Sequence, residues 1–486
     1  MAKRLLVLAL AAAAAAAGSA RGRDALAPLI GARLASSRPP ASPAADAFVF
    51  LDNGVVRLGI DTTRGGSVGW FGPSGGENFI NIHDFGREVQ VSYYAGPTPY
   101  NPPGCDLPPP PSPYSAFPYN PIGAGDVNGF AARILSIATD AANTTAVVTS
   151  VPQQWACNNT PAEGILVKTI SLVGAAAEVS AVLTLDRPDR TAYAAYGQEL
   201  PAVYVTGAAC ELWAYTGDAP YSGAPAERFV PPSPQSGGVT LRAPEQWVAM
   251  LQQGGAPGVG LWHPSTTVFA SMRWNSSFSG CVGGAYDDVT GYISGRYDEV
   301  LDWDSRYAYN YSLVWGDVDE IRAYAAAKKV AGQARPGPEA DFSAGREHFT
   351  PVNCLSAVEP GHVTLDMPGP DPQWHSGFLW FEASDVPALY VTAAFGAAQH
   401  DSLAQLFFLR EDMANGFDAA HVVSFDVQAD GAWHTYVVPL AGAFEYSGAI
   451  VQLRLDPVEA GQPGAWVNIS RINPVPPPPV DMKNRK

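Results

Sequence analysis

The chain has little charge, and less of it basic than acidic. Only 15% of its 486 residues are charged, and 46 acidic residues outnumber 29 Lys and Arg, giving a formal net charge of −17. A nucleic-acid partner requires a basic face, so no nucleic acid is expected among its ligands. Long apolar runs are missing after the opening residues, and no bilayer span is expected once that opening is removed. Walker, Rossmann and HExxH signatures are absent, which sets aside nucleotide-binding and zinc-peptidase chemistry. The five cysteines, Cys105, Cys157, Cys210, Cys281 and Cys354, are widely spaced, with no CxxC or zinc-like grouping.

What the chain does have is glycine (48), proline (44) and aromatic residues (11%), the composition of a turn-rich β-protein. Its first residues, MAKRLLVLALAAAAAAAGSA, place Lys3 and Arg4 before an apolar run that ends in Gly18, Ser19 and Ala20, the pattern of a secretory signal peptide over 1–20. Residues 21–45 read as a disordered leader. Export to an extracellular or cell-wall location allows up to two disulfides and leaves one thiol over. Five N-x-S/T sequons, at Asn143, Asn158, Asn275, Asn310 and Asn468, fit a glycosylated surface.

From Phe48 the pattern is β. FVFLDNGVVRLGID sets apolar positions on both sides of the Asp52-Asn53-Gly54 turn, and Gly65 and Gly66 precede the next strand. This order, a strand, an Asn-Gly turn, an amphipathic strand ending in Asp61 and then Gly-Gly, resembles the opening of the galactose-mutarotase-like β-supersandwich domains. These recur in sugar epimerases, polysaccharide lyases and glycoside hydrolases, so the resemblance implies a carbohydrate-active domain. Alternating segments then continue to YAYNYSLVW, about 270 residues of strands, more than a small sandwich needs. A helix follows over Asp317 to Ala331, with Asp317 and Glu320 as a capping box and Lys328 and Lys329 at its carboxyl end.

Residues 332–350 read as a linker, 351–473 as a second domain and 474–486 as a Pro-rich tail. About eight short strands fill the second domain, the rhythm of a jelly roll. GAWHTYVVPL followed by QLRLDP is similar to the ending of the carbohydrate-binding-type jelly rolls attached to secreted glycan enzymes. The fold class expected is therefore all-β: a large antiparallel β-supersandwich over 46–331, a smaller β-sandwich, and one short connecting helix.

The densest chemistry lies in Gly76 to Pro97. There His83 and Asp84 precede an alternating strand in which Arg87, Val89, Val91 and Tyr93 would share one face, and Glu88, Gln90, Ser92 and Tyr94 the other. Planar donors, carboxylates and aromatic faces are what a sugar ring requires. His83, Arg87, Gln90, Tyr93 and Tyr94 are accordingly substrate-binding candidates; the plain alternative is a core Tyr93 and a simple turn at His83 and Asp84. Glu199 in GQELPAVY could be an acid or base or an edge-strand charge. Glu245 and Trp247 could form a stacking platform or pack in the core, and His263, ending GVGLWHP, could serve as a base. Glycoside hydrolysis needs two carboxylates, for which Asp84 and Glu199 are the first pair and Glu245 the reserve. A uronate lyase would instead use Tyr94 or His263 with Arg87 and Gln90, and an isomerase His263 with Glu199. The expectation is a secreted protein that cleaves glycosidic bonds of a polysaccharide or oligosaccharide, the alternative being a non-catalytic glycan-binding or wall protein. No cofactor is implied. The acidic surface is compatible with a structural calcium ion, but no Asp/Asn cluster has the spacing to assign one.

Overall fold

The computed structural model of the protein describes residues 47–217, 219–230, 238–274, 280–330, 337–343, 345–396, 402–413 and 416–477. Residues 1–45, where a signal peptide and leader are expected, 332–336 of the expected linker and 478–486 of the expected tail lie outside the described residues. The chain divides into two compact units, 1–331 and 332–486.

Unit 1 is built from two large antiparallel sheets. The ten-stranded sheet runs Phe48–Asp52, Val56–Asp61, Val68–Pro73, Val89–Ser92, Tyr196–Thr206, Thr290–Glu299, Val268–Trp274 and Val239–Arg242, with the short Pro121–Ile122 and Gln153–Gln154 attached beside Val89–Ser92. Its nine-stranded counterpart runs Glu227–Phe229, Glu211–Ala214, Trp247–Leu251, Gly258–Trp262, Arg306–Gly316, Ala176–Leu185, Gly164–Val173, Thr145–Val151 and Arg133–Thr139. Alternation along each strand sends one set of side chains inward. Leu58, Val89, Val91, Val203 and Ile293 of the first sheet thus share a core with Leu166, Ile170, Val179, Leu183 and Leu313 of the second. The Asn53-Gly54 hairpin forms as its sequence requires: Asn53 Oδ1 accepts the Val55 and Val56 amides, and Gly54 takes φ +80°.

The helix spans Val318–Val330. Asp317 Oδ1 accepts the Glu320 amide, and Glu320 Oε2 accepts the Asp317 amide, a reciprocal capping box. Ile321 and Ala325 pack with Trp247, Trp262 and Val314 on the face of the nine-stranded sheet that points away from the main core.

Unit 2 holds two six-stranded antiparallel sheets. One orders Leu355–Glu359, His362–Asp366, Trp466–Asn473, Ala388–Phe395 and Trp433–Pro439, with Ala340–Asp341 on Trp466–Asn473. The other orders Thr350–Val352, Gln373–His375, Ala449–Asp456, Leu403–Arg410 and Val422–Asp426, with Phe381–Glu382 on Ala449–Asp456. Its core joins Val363, Leu389, Val391 and Val467 to Trp374, Leu406, Phe408 and Leu453. Among the described residues the class is all-β with one α-helix, as the alternation and the capping box predict. The segment GFLWFEAS contributes only the two-residue strand Phe381–Glu382, not a full one.

Candidate functional site

The outer face of the ten-stranded sheet, opposite the main core, gathers a polar and aromatic cluster, and a backbone irregularity puts its central residue there. Along Tyr196–Thr206, Val203 and Val205 point into the core, so strict alternation would send Glu199 the same way. The register instead shifts between Glu199 and Ala202: Glu199 pairs with Ser92 and Arg296, and the next paired residue, Ala202, faces Gln90 and Ser294. Leu200 and Pro201 therefore oppose single residues on the neighbouring strands. This bulge leaves Leu200 in the core and turns Glu199 outward onto the face of Ala202 and Tyr204.

There Glu199 Oε1 accepts Arg296 Nη1 at 2.9 Å, and Oε2 accepts the Ser92 hydroxyl at 3.0 Å. Asn120 Nδ2 in turn donates to Ser92 Oγ at 3.2 Å. The ion pair is only partly open, with 17% of the Glu199 side chain and 12% of the Arg296 side chain exposed. Burial works against the Arg296 charge, but Glu199, Tyr292 and Tyr94 outweigh it and hold the guanidinium above its ordinary range. Tyr204 and Tyr292 lie 5.0 Å apart, with Trp274 at 5.6 and 5.7 Å from them. Gln198 fixes Tyr94 by bonding both its amide and its carbonyl. Burial first, and then the negative charge of Glu199, push the Tyr94, Tyr204 and Tyr292 phenols upward, so they remain protonated at neutral pH.

Asp84 lies beside the same cluster, since its charge, like that of Glu199, raises Tyr204. Its Oδ1 accepts the Gly86 amide, and its Oδ2 stands 3.3 Å from Arg87 Nε. The Pro-rich segment supplies a wall here. Tyr114, pushed up to about 12 by burial and by Asp84, stands 6.4 Å from Trp155, whose ring edge approaches Gly86 closely enough that a Cβ there would meet it at 2.7 Å. Cys105–Cys157 ties this segment down, and the second disulfide is Cys210–Cys281, leaving Cys354 as the free thiol.

The strand expected from Arg87 starts only at Val89, because Glu88 takes a left-handed φ of +78°. Arg87 turns away to donate to the Asp288 carbonyl and carboxylate, and His83 Nδ1 meets the Tyr286 carbonyl at 2.8 Å, so both stitch the 81–88 loop to the 285–289 loop. Gln90 is buried and bonds the Phe85 and Arg87 carbonyls and the Ala124 amide. Tyr93 is a core ring 6.1 Å from Tyr119 and reaches no surface.

Three further candidates are not brought to this face. Glu245 is fully buried next to the helix of unit 1, where its carboxylate takes Arg322 Nε and Nη2, the Tyr221 amide and Trp247 Nε1. Trp247 is fully buried among helix contacts. His263 is also fully buried. The Ser265 amide can only donate, so it fixes Nδ1 as acceptor at 3.2 Å and leaves the proton on Nε2, which donates to the Leu200 carbonyl at 3.0 Å. Burial pulls its pKa down to about 4, against the pull of that carbonyl. A neutral ring with both nitrogens engaged is no proton carrier for a ligand; it grips the bulge that aims Glu199.

Sequence reasoning missed Arg296 and Tyr292, which the pairing with Thr290–Glu299 brings to the Glu199 strand across about 100 residues, Trp274, which sits one strand further on, and Tyr204, which is on the same strand as Glu199 but shares its face only because of the bulge. It also missed the charges beneath the Asp84 loop. Arg64 Nη1 donates to the Ile82 and Asp84 carbonyls and lies 3.4 Å from the buried Glu88, which burial and Asp61 push well up. Lys168, buried and pulled down to about 8, donates to the Gly66 carbonyl. Among the described residues no group of three or more His, Cys, Asp or Glu side chains is placed to hold a metal ion.

Fold and site together define a two-unit all-β protein with a polar, aromatic-lined sheet face. A galactose mutarotase-like protein from Lactobacillus casei is similar to 55% of this chain over 99% of its own length, at 10% identity and TM-score 0.35. For a galactose mutarotase related enzyme from Lactobacillus acidophilus the shares are 56% and 99%, at 8% identity and TM-score 0.35. The xylan binding module CBM86 of Roseburia intestinalis is similar to 28% of this chain over 93% of its own length, at 17% identity and TM-score 0.21. No family model matches the chain, and no curated protein matches it.

Proposed function

We propose that the protein is a secreted carbohydrate-active protein whose first unit seats a saccharide on the outer face of the ten-stranded sheet and cleaves a glycosidic bond there. The observation that carries this reading is the bulge that turns Glu199 out of the core into an ion pair with Arg296, among Tyr94, Tyr204, Tyr292 and Trp274. Withdrawing an ion pair from water is costly and gives a stable fold little in return, so its retention on an aromatic face fits ligand recognition. Sugar C–H faces would lie on Tyr204 and Trp274, while hydroxyls would be met by the carboxylate, the guanidinium and protonated phenols. In the cleavage step Glu199 would be the acid or base and Asp84 the second carboxylate, with Tyr204 electrostatically coupled to both. Neutral phenols donate hydrogen bonds and do not act as bases, which favours hydrolysis over uronate elimination here.

The test is to incubate the full chain with a panel of extracellular and cell-wall polysaccharides and to read both reducing ends and unsaturated uronates. New reducing ends without unsaturation, lost in Glu199→Gln, are expected. Unsaturated products would replace hydrolysis by elimination. Saccharide binding without any product would leave a glycan-binding protein.

A further inference from the structure

The nine-stranded sheet of unit 1 has an open face that its helix leaves uncovered, and two of the sequons stand on it. One cross-strand row reads Asn310, Ser180, Thr169, Val147 and Ala138, and the next reads Ala308, Val182, Val167, Thr149 and Ser136. All of these residues are exposed or half-buried, and neither row holds a charge. Leu135 and Ile165 extend the apolar surface at 46% and 44% exposure. Such a face on a secreted protein invites association unless something polar covers it.

We infer that Asn143 and Asn310 carry N-linked oligosaccharides that cover this face. Asn310 projects from the middle of Arg306–Gly316 and is exposed, with Ser312 completing its sequon. Asn143 sits at φ +52° in the turn between Arg133–Thr139 and Thr145–Val151, at the end of the same face, where Asp140 organises the turn by accepting the Thr144 and Thr145 amides. Neither side-chain amide has a hydrogen-bond partner among the described residues, so each is free to react. Asn468 contrasts with them: it is half-buried on a strand of unit 2, and its Oδ1 accepts the Thr364 hydroxyl at 2.9 Å. Asn158 is exposed beside Cys157, off these two rows, and Asn275 lies outside the described residues. In the reaction the amide nitrogen attacks the anomeric carbon of a lipid diphosphate-linked oligosaccharide. The C–N bond forms, the bond to the diphosphate oxygen breaks, the lipid diphosphate departs with the electron pair, and the nitrogen gives up one proton.

This inference rests on the secretory part of the proposed function and not on the sugar site. Its test is to express the full chain with its own leader in a eukaryotic host, recover the protein from medium and cells separately, and release glycans with a peptide amidase in heavy-oxygen water. Peptide mass mapping then reads each sequon. Asn143 and Asn310 are expected to appear as labelled Asp in most copies from the medium, with Asn468 unlabelled. Protein in the medium with either Asn143 or Asn310 unmodified overturns the glycan inference and leaves secretion standing. Protein retained in the cytosol with no sequon modified overturns the secretory reading and this inference with it.

Discussion

Glu199 faces outward because Leu200 and Pro201 together oppose single residues on the neighbouring strands, and His263 holds that bulge by its bond to the Leu200 carbonyl. Burial sets the folded pKa of His263 near 4, below the ordinary value of about 6.5. The unfolded chain therefore takes up the proton first as pH falls. Stability from this group is complete above about 6.5 and declines until about 4, by roughly 3 kcal/mol. In His263→Asn that component is expected to vanish, which chemical denaturation of both proteins across this pH range would show; parallel curves would contradict it. Glu199→Gln removes the counter-charge of the nearly buried Arg296, so some stability should be lost with it; the charge-assisted bonds it can no longer offer a saccharide, worth roughly 2 kcal/mol, should lower affinity more than tenfold. Sequence legibility is uneven at this scale. Glu199 is visible as a carboxylate before a proline, whereas the burial of Tyr93, Glu245, Trp247 and His263 depends on which element packs above each, and Arg296 reaches Glu199 only through pairing of distant strands.

At the scale of elements, the helix is anchored by its capping box and by ion pairs to the sheet, and the Pro-rich segment by a disulfide. The helix capping box is readable because its partners are three residues apart, but Arg322 also clamps Glu245, which is 77 positions away and invisible to local reasoning. Removing Glu245 leaves the Arg322 guanidinium without its counter-charge, although it still meets the Ala224 carbonyl and the Tyr215 ring. Glu245→Ala is therefore expected to cost about 3 kcal/mol, and the double substitution with Arg322→Ala less than the sum of the single effects, measured by equilibrium unfolding. The Pro-rich segment is held by Cys105–Cys157, which closes a loop of 52 residues. Replacing both cysteines by serine should lower stability by about 4 kcal/mol on the chain-entropy account. It should also raise amide exchange in the Tyr114 wall while exchange in Val89–Ser92 stays slow. Fast exchange in both would mean that the segment is part of the core rather than a tethered wall.

For the whole molecule, the alternation of apolar and polar residues made the all-β class legible, because period-two patterns survive in any register. The two sheets and the core between them follow from that pattern once turns at Asn53-Gly54 and its counterparts are placed. Register is what the pattern leaves open: a bulge shifts every residue beyond it by one face, and the candidate site depends on such a shift at Glu199. The central claim is that the outer face of the ten-stranded sheet of unit 1 binds saccharide through Glu199 and Arg296. Calorimetric titration of the full chain and of Glu199→Gln, Arg296→Met and His83→Ala with the oligosaccharide selected from the polysaccharide panel tests it most directly. The account predicts that the first two substitutions weaken binding more than tenfold and that His83→Ala, which loses only a loop contact, changes it less than threefold. Binding unchanged in both Glu199→Gln and Arg296→Met would contradict it.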